Sequence, residues 1–257
     1  VSTAGPIGER PDLKEILRHR DPSQLWFQLA EIIGDRTYLR HDIEVHPGDV
    51  VIDAGANVGV AAAFFLSECG AAEVHSFEPV PAIFEMLAEN MARFPGSHIY
   101  LAGLSDREES VEFTYYEGAA AMSSRYAIPE RDHELVKTVL IGTGLSEIEA
   151  EARIVGDFRP DTVSCNLRPL SAMIEEEGIG RVDLLKIDVE RAELDVLRGI
   201  RGEHWPMVRQ VVVEAHDEGA RLIEVRGLLE SHGFTVVLDQ EANMKGTGVF
   251  VVYAKRD

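Results

Sequence analysis

The chain is poor in cysteine, in basic charge and in long apolar runs. Its two cysteines, Cys69 and Cys165, stand far apart in 257 residues. They are too few for a disulfide framework or a cysteine-based zinc site, so a reducing, cytoplasmic setting is expected. Lysine and arginine total 25 against 45 Asp and Glu, a formal net charge of -20. Such a surface disfavours phosphate-backbone binding and anionic bilayers, since both draw on Lys and Arg. The longest apolar run, Val58 to Leu66, is about half of the roughly 20 residues that span a membrane. No signal-peptide pattern precedes it. Neither nucleic acid nor membrane is therefore an expected partner. An initiator methionine is also missing, and the start at Val1 reads as a processed or excised piece of something longer.

What is present is 45% hydrophobic and 27% charged, the composition of a globular protein with one sizeable core. Residues 1–11, with two glycines and two prolines, read as a flexible lead. Apolar residues then recur at helical spacing from Leu13 to Ile33, with Gly34 as a stop, which predicts two short helices. From Val50 onward, continuous apolar runs alternate with amphipathic stretches, the pattern of a buried parallel sheet with crossover helices. Strands are expected at 50–54, 73–78, 98–102, 182–188, 209–216, 234–239 and 247–254, and helices at 58–68, 80–93, 170–177, 190–199 and 219–232. Too few residues separate the last two strands for a crossover helix, so they should form an antiparallel hairpin, placing one antiparallel strand at the sheet edge. The fold class is α/β: a seven-stranded, mostly parallel, Rossmann-like sheet. Residues 1–45 are read as lead and helical cap and 46–257 as the main domain. A long interruption at about 103–169, with a strand near 112–116 and a helix near 147–155, is read as a lid over the carboxyl ends of the strands.

The strongest motif is Asp53-Ala54-Gly55-Ala56-Asn57-Val58-Gly59, a strand running into a glycine-punctuated turn and an apolar helix. Gly55 and Gly59 are expected to let a ligand's polar groups approach the backbone, with the helix N-terminus beyond offering N–H donors to an anion. The spacing is not the dinucleotide fingerprint, because Asn57 and Val60 occupy its second and third glycine positions. At the end of the second strand, Glu78 can accept both hydroxyls of a ribose, and Pro79 can open the next helix. Asp188 ends the buried strand Leu184-Leu185-Lys186-Ile187, at the edge where open α/β sheets bind ligands. It is a candidate for substrate handling or proton removal. Glu190 and Glu193 share a face at the start of the following helix. By strand alternation Glu214 and His216 point to one side of the next strand. A histidine titrating near neutral pH beside carboxylates can take a hydroxyl proton. Asp188, Glu214 and His216 can equally hold a divalent ion, although the metal-free base is favoured. The other eight histidines are read as surface or satisfied groups, and Trp26 and Phe27 as core packing.

Three blocks together, Asp53–Gly59, Phe77-Glu78-Pro79 and Leu184–Glu193, resemble the signature blocks of FkbM-type methyltransferases. The resemblance spans about residues 45–255. It implies a class I methyltransferase fold, S-adenosylmethionine as cofactor and methyl transfer to an oxygen. Carried over by position, Asp53, Gly55, Asn57 and Gly59 would hold the methionine end, Glu78 with Pro79 the ribose, and the loop containing Ser105 and Asp106 the adenine. Asp188 would touch both cofactor and acceptor. Arg191 stands where the family has glycine, placing a bulkier cation at the mouth of the site. Arg125 and Tyr126 in the insertion, with Glu190 and Arg191, are the expected acceptor contacts, Arg125 as a clamp for an anionic group. The expected acceptor is the hydroxyl of a small or carrier-protein-tethered secondary metabolite or sugar. N-methyl transfer, or a binding and docking domain of a modular synthase, are the alternatives.

Overall fold

The computed structural model describes residues 12–154, 159–241 and 244–256. The expected lead at 1–11 lies outside these, as does Val155. The strands are β1 (Val50–Ala54), β2 (Glu73–Phe77), β3 (Ser97–Tyr100), β4 (Gly103–Ser105), β5 (Glu109–Tyr116), β6 (Pro160–Pro169), β7 (Leu184–Ile187), β8 (Gln210–His216), β9 (Thr235–Asp239) and β10 (Val249–Lys255). The helices are α1 (Leu13–Ile16), α2 (Pro22–Leu29), α3 (Val60–Phe64), α4 (Pro81–Met91), α5 (Pro129–Gly142), α6 (Glu147–Ile154), α7 (Leu170–Glu177), α8 (Glu193–Arg198) and α9 (Arg221–Ser231). Wider π-type turns extend α2 through Ala30–Gly34 and α3 through Phe65–Cys69.

Seven strands form one sheet in the order β3-β2-β1-β7-β8-β10-β9. The first half of the chain builds outward from β1 to β3, then returns to lay β7 on the other side of β1. A crevice therefore opens beyond the carboxyl ends of β1 and β7, at the point where the winding reverses. All of β7 and nearly all of β1 and β8 are buried, which is why those segments read as unbroken apolar runs. Two buried clusters cover the two faces. One is built around Phe64, Phe65 and Leu87, the other around Leu170, Leu185 and Trp205.

The antiparallel strand is not at the edge, as the spacing suggested. β10 runs antiparallel to both β8 and β9 and lies between them. A helix is about 10 Å across while strands are about 4.8 Å apart. The α9 crossover thus leaves a one-strand gap beside β8, and the returning chain fills it.

The insertion holds more structure than its sequence suggests. β4, β6 and β5 form a second sheet in that order, with α5 and α6 packed beyond it. β6 escapes notice because only Cys165 and Leu167 along it are buried. The amphipathic α5 is masked by its charged first turn, Glu130 to Asp132. Asp132, fully buried, joins this helix to the core through an ion pair with Arg191 Nη1 at 2.7 Å and a hydrogen bond from Tyr116 Oη at 3.0 Å. Breaking a buried ion pair from one side costs about 3–5 kcal/mol. Asp132→Asn should therefore lower unfolding stability by about 3 kcal/mol and speed amide exchange in 129–142 ahead of β1 and β7, as read by hydrogen-exchange mass spectrometry.

Candidate active site

A cavity of about 480 Å³ occupies the crevice. Its rim and floor come from the turn after β1 (Gly55, Ala56, Asn57), Glu78 and Pro79 after β2, and Gly103 to Ser105. Lys186, Asp188 and Glu190 add the end of β7, and Glu214 and His216 the end of β8. The wall is apolar, supplied by Phe27 and Ile32 from the N-terminal helices and by Leu135, Val139, Leu140 and Ile154 from the insertion. Trp26 also lines it and is 67% exposed. Trp26 and Phe27 are thus wall rather than core, because the helix carrying them covers the crevice and not the sheet face.

The turn after β1 is held from below. Asn57 takes a left-handed conformation, φ 49°, which asparagine tolerates better than most residues. Its N–H donates to Glu78 Oε2 at 3.1 Å, and Val80 N–H donates to Glu78 Oε1 at 2.9 Å. Both oxygens of Glu78 are so fixed while keeping lone pairs for a second partner. Burial pushes this carboxyl up to about 7, against the pull of those two N–H groups. The glycines serve differently from expectation. A Cβ on Gly55 would lie 1.8 Å from the Asp188 carbonyl oxygen, and one on Gly59 2.8 Å from Leu87 and Met91. Close approach of chain segments demands glycine at both positions; Gly55 also lines the cavity, and Gly59 is off the lining.

Asp53 is fully buried beneath the floor and also off the lining. It pairs with Lys186, whose Nζ lies 3.0 Å from Asp53 Oδ1 and 3.6 Å from Asp188 Oδ2 and donates to Gly55 O at 2.7 Å. Burial would strip Lys186 of its proton, but Asp53 and Asp188 hold its pKa above the usual value. Asp188 Oδ2 also accepts from Tyr38 Oη at 2.9 Å, and Lys186 Nζ lies 5.3 Å from that ring's centre. Lys186 and Tyr38 were absent from the sequence-based set of site residues. A lysine inside the apolar run Leu184–Ile187 was the available signal. Tyr38 carried none, because the segment delivering it is far away in sequence.

His216 is 4% exposed and lies between two carboxylates, Glu193 Oε1 2.9 Å from Nδ1 and Glu190 Oε2 3.2 Å from Nε2. Burial acts to lower its pKa, yet the two carboxylates prevail and raise it well above the ordinary value. Both ring nitrogens of His216 thus face carboxylates of the protein itself, where the sequence led to the expectation of a base turned towards a hydroxyl. Glu214 faces the cavity with its pKa raised well above normal by burial and by neighbouring Asp188 and Glu31. Glu31, unforeseen from sequence, is pushed up to about 8 by burial and by the charges of Glu241 and Asp188.

Of the expected acceptor contacts, Glu190 and Arg125 line the cavity, and Arg125 pairs with Glu109 at 2.7 Å. Tyr126 turns away to donate to Asp195 at 2.7 Å. Arg191 is not at the mouth. It takes a left-handed backbone, φ 72°, and buries its guanidinium between Asp132 and Glu218. Ser105 is on the lining, while Asp106 pairs with Arg107 outside it. His75 and His98, read as surface or satisfied groups, stack at 4.6 Å beside Glu73 on β2 and β3, away from the cavity.

The Methyltransferase FkbM domain model matches residues 53–236. The chain belongs to the FkbM methyltransferase family. It is an S-adenosylmethionine-dependent methyltransferase. It is 37% identical over 242 residues to the 31-O-demethyl-FK506 methyltransferase FkbM of Streptomyces tacrolimicus, covering 93% of this chain and 92% of that one. It is also 37% identical to part of the AMB antimetabolite synthetase AmbE of Pseudomonas aeruginosa, with 88% of this chain matching 11% of that protein. In fold it is similar to a crystal structure of methyltransferase FkbM from Methylobacillus flagellatus, with a TM-score of 0.50, 13% identity, and coverage of 94% of this chain and 56% of that one. Among the described residues of this FkbM-family chain no helix is long and apolar enough to cross a membrane.

Two outcomes follow from the buried charges. Lys186→Met leaves Asp53 buried and unpaired, so urea unfolding should show a loss of about 3–5 kcal/mol. Glu78 and Glu31, whose pKa values in the fold are about 7 and about 8, bind protons more tightly folded than unfolded. The stability they contribute is complete below the usual carboxylate pKa and is lost as pH rises through the folded values. The ligand-free melting temperature should therefore fall from pH 5 to pH 8.5, and Glu31→Gln should flatten the upper part of that decline.

Proposed function

We propose that this enzyme transfers the methyl group of S-adenosylmethionine to a hydroxyl carried on a largely apolar body, a small or carrier-tethered secondary metabolite. The observation that carries this reading is a single cavity, fixed hydrogen-bond acceptors on one side and a carboxylate floor under an apolar wall on the other. The cofactor fits the first side. Glu78 offers two immobilised oxygens of the kind a ribose requires, the turn Gly55–Asn57 with Pro79 flanks it, and Ser105 borders the far end. When bound, the cofactor supplies an electrophilic methyl group on a positively charged sulfur.

The protein's part is to position, to dry and to accept a proton. Asp53 holds the cofactor side indirectly, through Lys186 and the Gly55 carbonyl. Asp188, oriented by Tyr38, takes the hydroxyl proton, a role worth typically 10²–10⁴-fold in rate. Glu214 and Glu190 face the same space. The insertion acts as the lid, and its Leu135, Val139 and Leu140 meet the acceptor's apolar body. The names of two relatives support this class of acceptor, a demethylated FK506 for one and an antimetabolite synthetase for the other. The carboxylate-rich floor supports an amine as a second reading, since it would also suit a cation.

Glu78→Ala should weaken S-adenosylhomocysteine binding by about 10- to 150-fold, the worth of one or two charge-assisted hydrogen bonds, measured by calorimetry. Asp188→Asn should lower kcat by about 10²–10⁴ with cofactor affinity within about twofold. The acceptor atom is read by mass and NMR analysis of product made with isotopically labelled methyl donor. Methylated nitrogen in place of oxygen would select the second reading.

A further inference from the structure

Glu190, Glu214 and His216 each offer one ligand atom, the three lying within 4.8 Å of one another. All three residues line the cavity. The sequence alone had grouped Asp188 with Glu214 and His216, but Asp188 is taken by Tyr38 and faces Lys186. We propose that Glu190, Glu214 and His216 form a site for one divalent cation that ligates the acceptor's hydroxyl oxygen, an inference that rests on the O-methyl reading above.

Three observations carry it independently of the charge count. First, His216 is held by a second carboxylate from behind. Glu193 Oε1, on a fully buried side chain, lies 2.9 Å from Nδ1 and also accepts the Arg191 N–H at 2.8 Å, so Nε2 is aimed at the cluster. A carboxylate backing an imidazole in this manner fixes its tautomer and orientation for a metal. Second, Glu190 is 8% exposed and its buried Oε2 makes no well-formed hydrogen bond, only the 3.2 Å ion contact with His216 Nε2. An ion at this point would replace the Nε2 proton and satisfy both atoms. Third, Glu190 is held at φ 48°, a conformation costly for a non-glycine residue. Its carbonyl accepts from Ser124 Oγ, so the insertion itself pins this backbone.

One imidazole nitrogen and two carboxylates suit Mn²⁺ or Mg²⁺ as well as softer ions. Three protein ligands leave positions open towards the cavity. A hydroxyl bound there becomes more acidic. Its proton passes to Asp188, its oxygen bonds to the methyl carbon, and the carbon–sulfur bond breaks with its electron pair retained by sulfur.

The test uses the full chain, stripped with chelator and titrated with Mn²⁺, free ion being read by electron paramagnetic resonance. One Mn²⁺ should bind per chain. Glu214→Gln and His216→Ala should each weaken it at least tenfold, and Glu193→Gln by about 10- to 100-fold. S-adenosylhomocysteine affinity should stay within about twofold in Glu214→Gln, which preserves shape if His216→Ala does not fold. Chelation should abolish turnover and Mn²⁺ restore it. Absence of Mn²⁺ binding at millimolar concentration, or equal binding in wild type and Glu214→Gln, would overturn the site. Mn²⁺ binding without any cofactor binding would instead overturn the methyltransfer reading and leave the metal site standing.

Discussion

A single buried cation sets the geometry of the crevice. Lys186 sits mid-sheet on β7, 3% exposed, and reaches Asp53 on β1, Asp188 at its own strand's end and the carbonyl of Gly55. Isolated in such surroundings an ammonium would shed its proton, and Asp53 would take one up. Together they remain an ion pair that ties two neighbouring parallel strands at the point where both chain ends turn outward. The turn that follows β1 and the tip of β7 are thereby held in mutual register, and the cofactor side and the acceptor side of the cavity share one fixed edge.

Around that edge the fold arranges an unusual density of carboxylates. Glu31, Asp188, Glu190 and Glu214 all face the cavity, with Lys186 and His216 as the nearby basic groups. Carboxylates crowded in this way raise one another's pKa values and the cost of ionising all of them. The pKa directions of Glu31, Glu190 and Glu214 are all upward, with burial the first cause in each. Such a floor is destabilising by itself, and the fold retains it where the chemistry of a methyl acceptor would use it.

Arg191 joins this floor to the insertion. The residue accepts a left-handed backbone, φ 72°, at a cost of roughly 1–2 kcal/mol, and gains a buried pair with Asp132 of α5 and a second contact with Glu218. The loop that displays Asp188 and Glu190 is thus fastened to the helix that walls the cavity.

The seven-stranded sheet, its crossover helices and the emergence of Glu78, Asp188, Glu214 and His216 at one edge of it were legible from sequence. Buried parallel strands must be apolar on both faces, and residues ending such strands must emerge at the same edge. These are local constraints, written in consecutive residues. The insertion's strand β6 and helix α5 were not legible, because half-exposed elements carry weak periodicity. Nor was the inward place of β10, which depends on the width of a helix lying over the sheet. The partners of the charged groups were decided by tertiary structure alone. Whether His216 faces water or two carboxylates, whether Arg191 points into the cavity or towards Asp132, and which tyrosine orients Asp188 all depend on residues remote along the chain. Electrostatic energy follows distance in space, and sequence spacing records none of it across 150 residues from Tyr38 to Asp188.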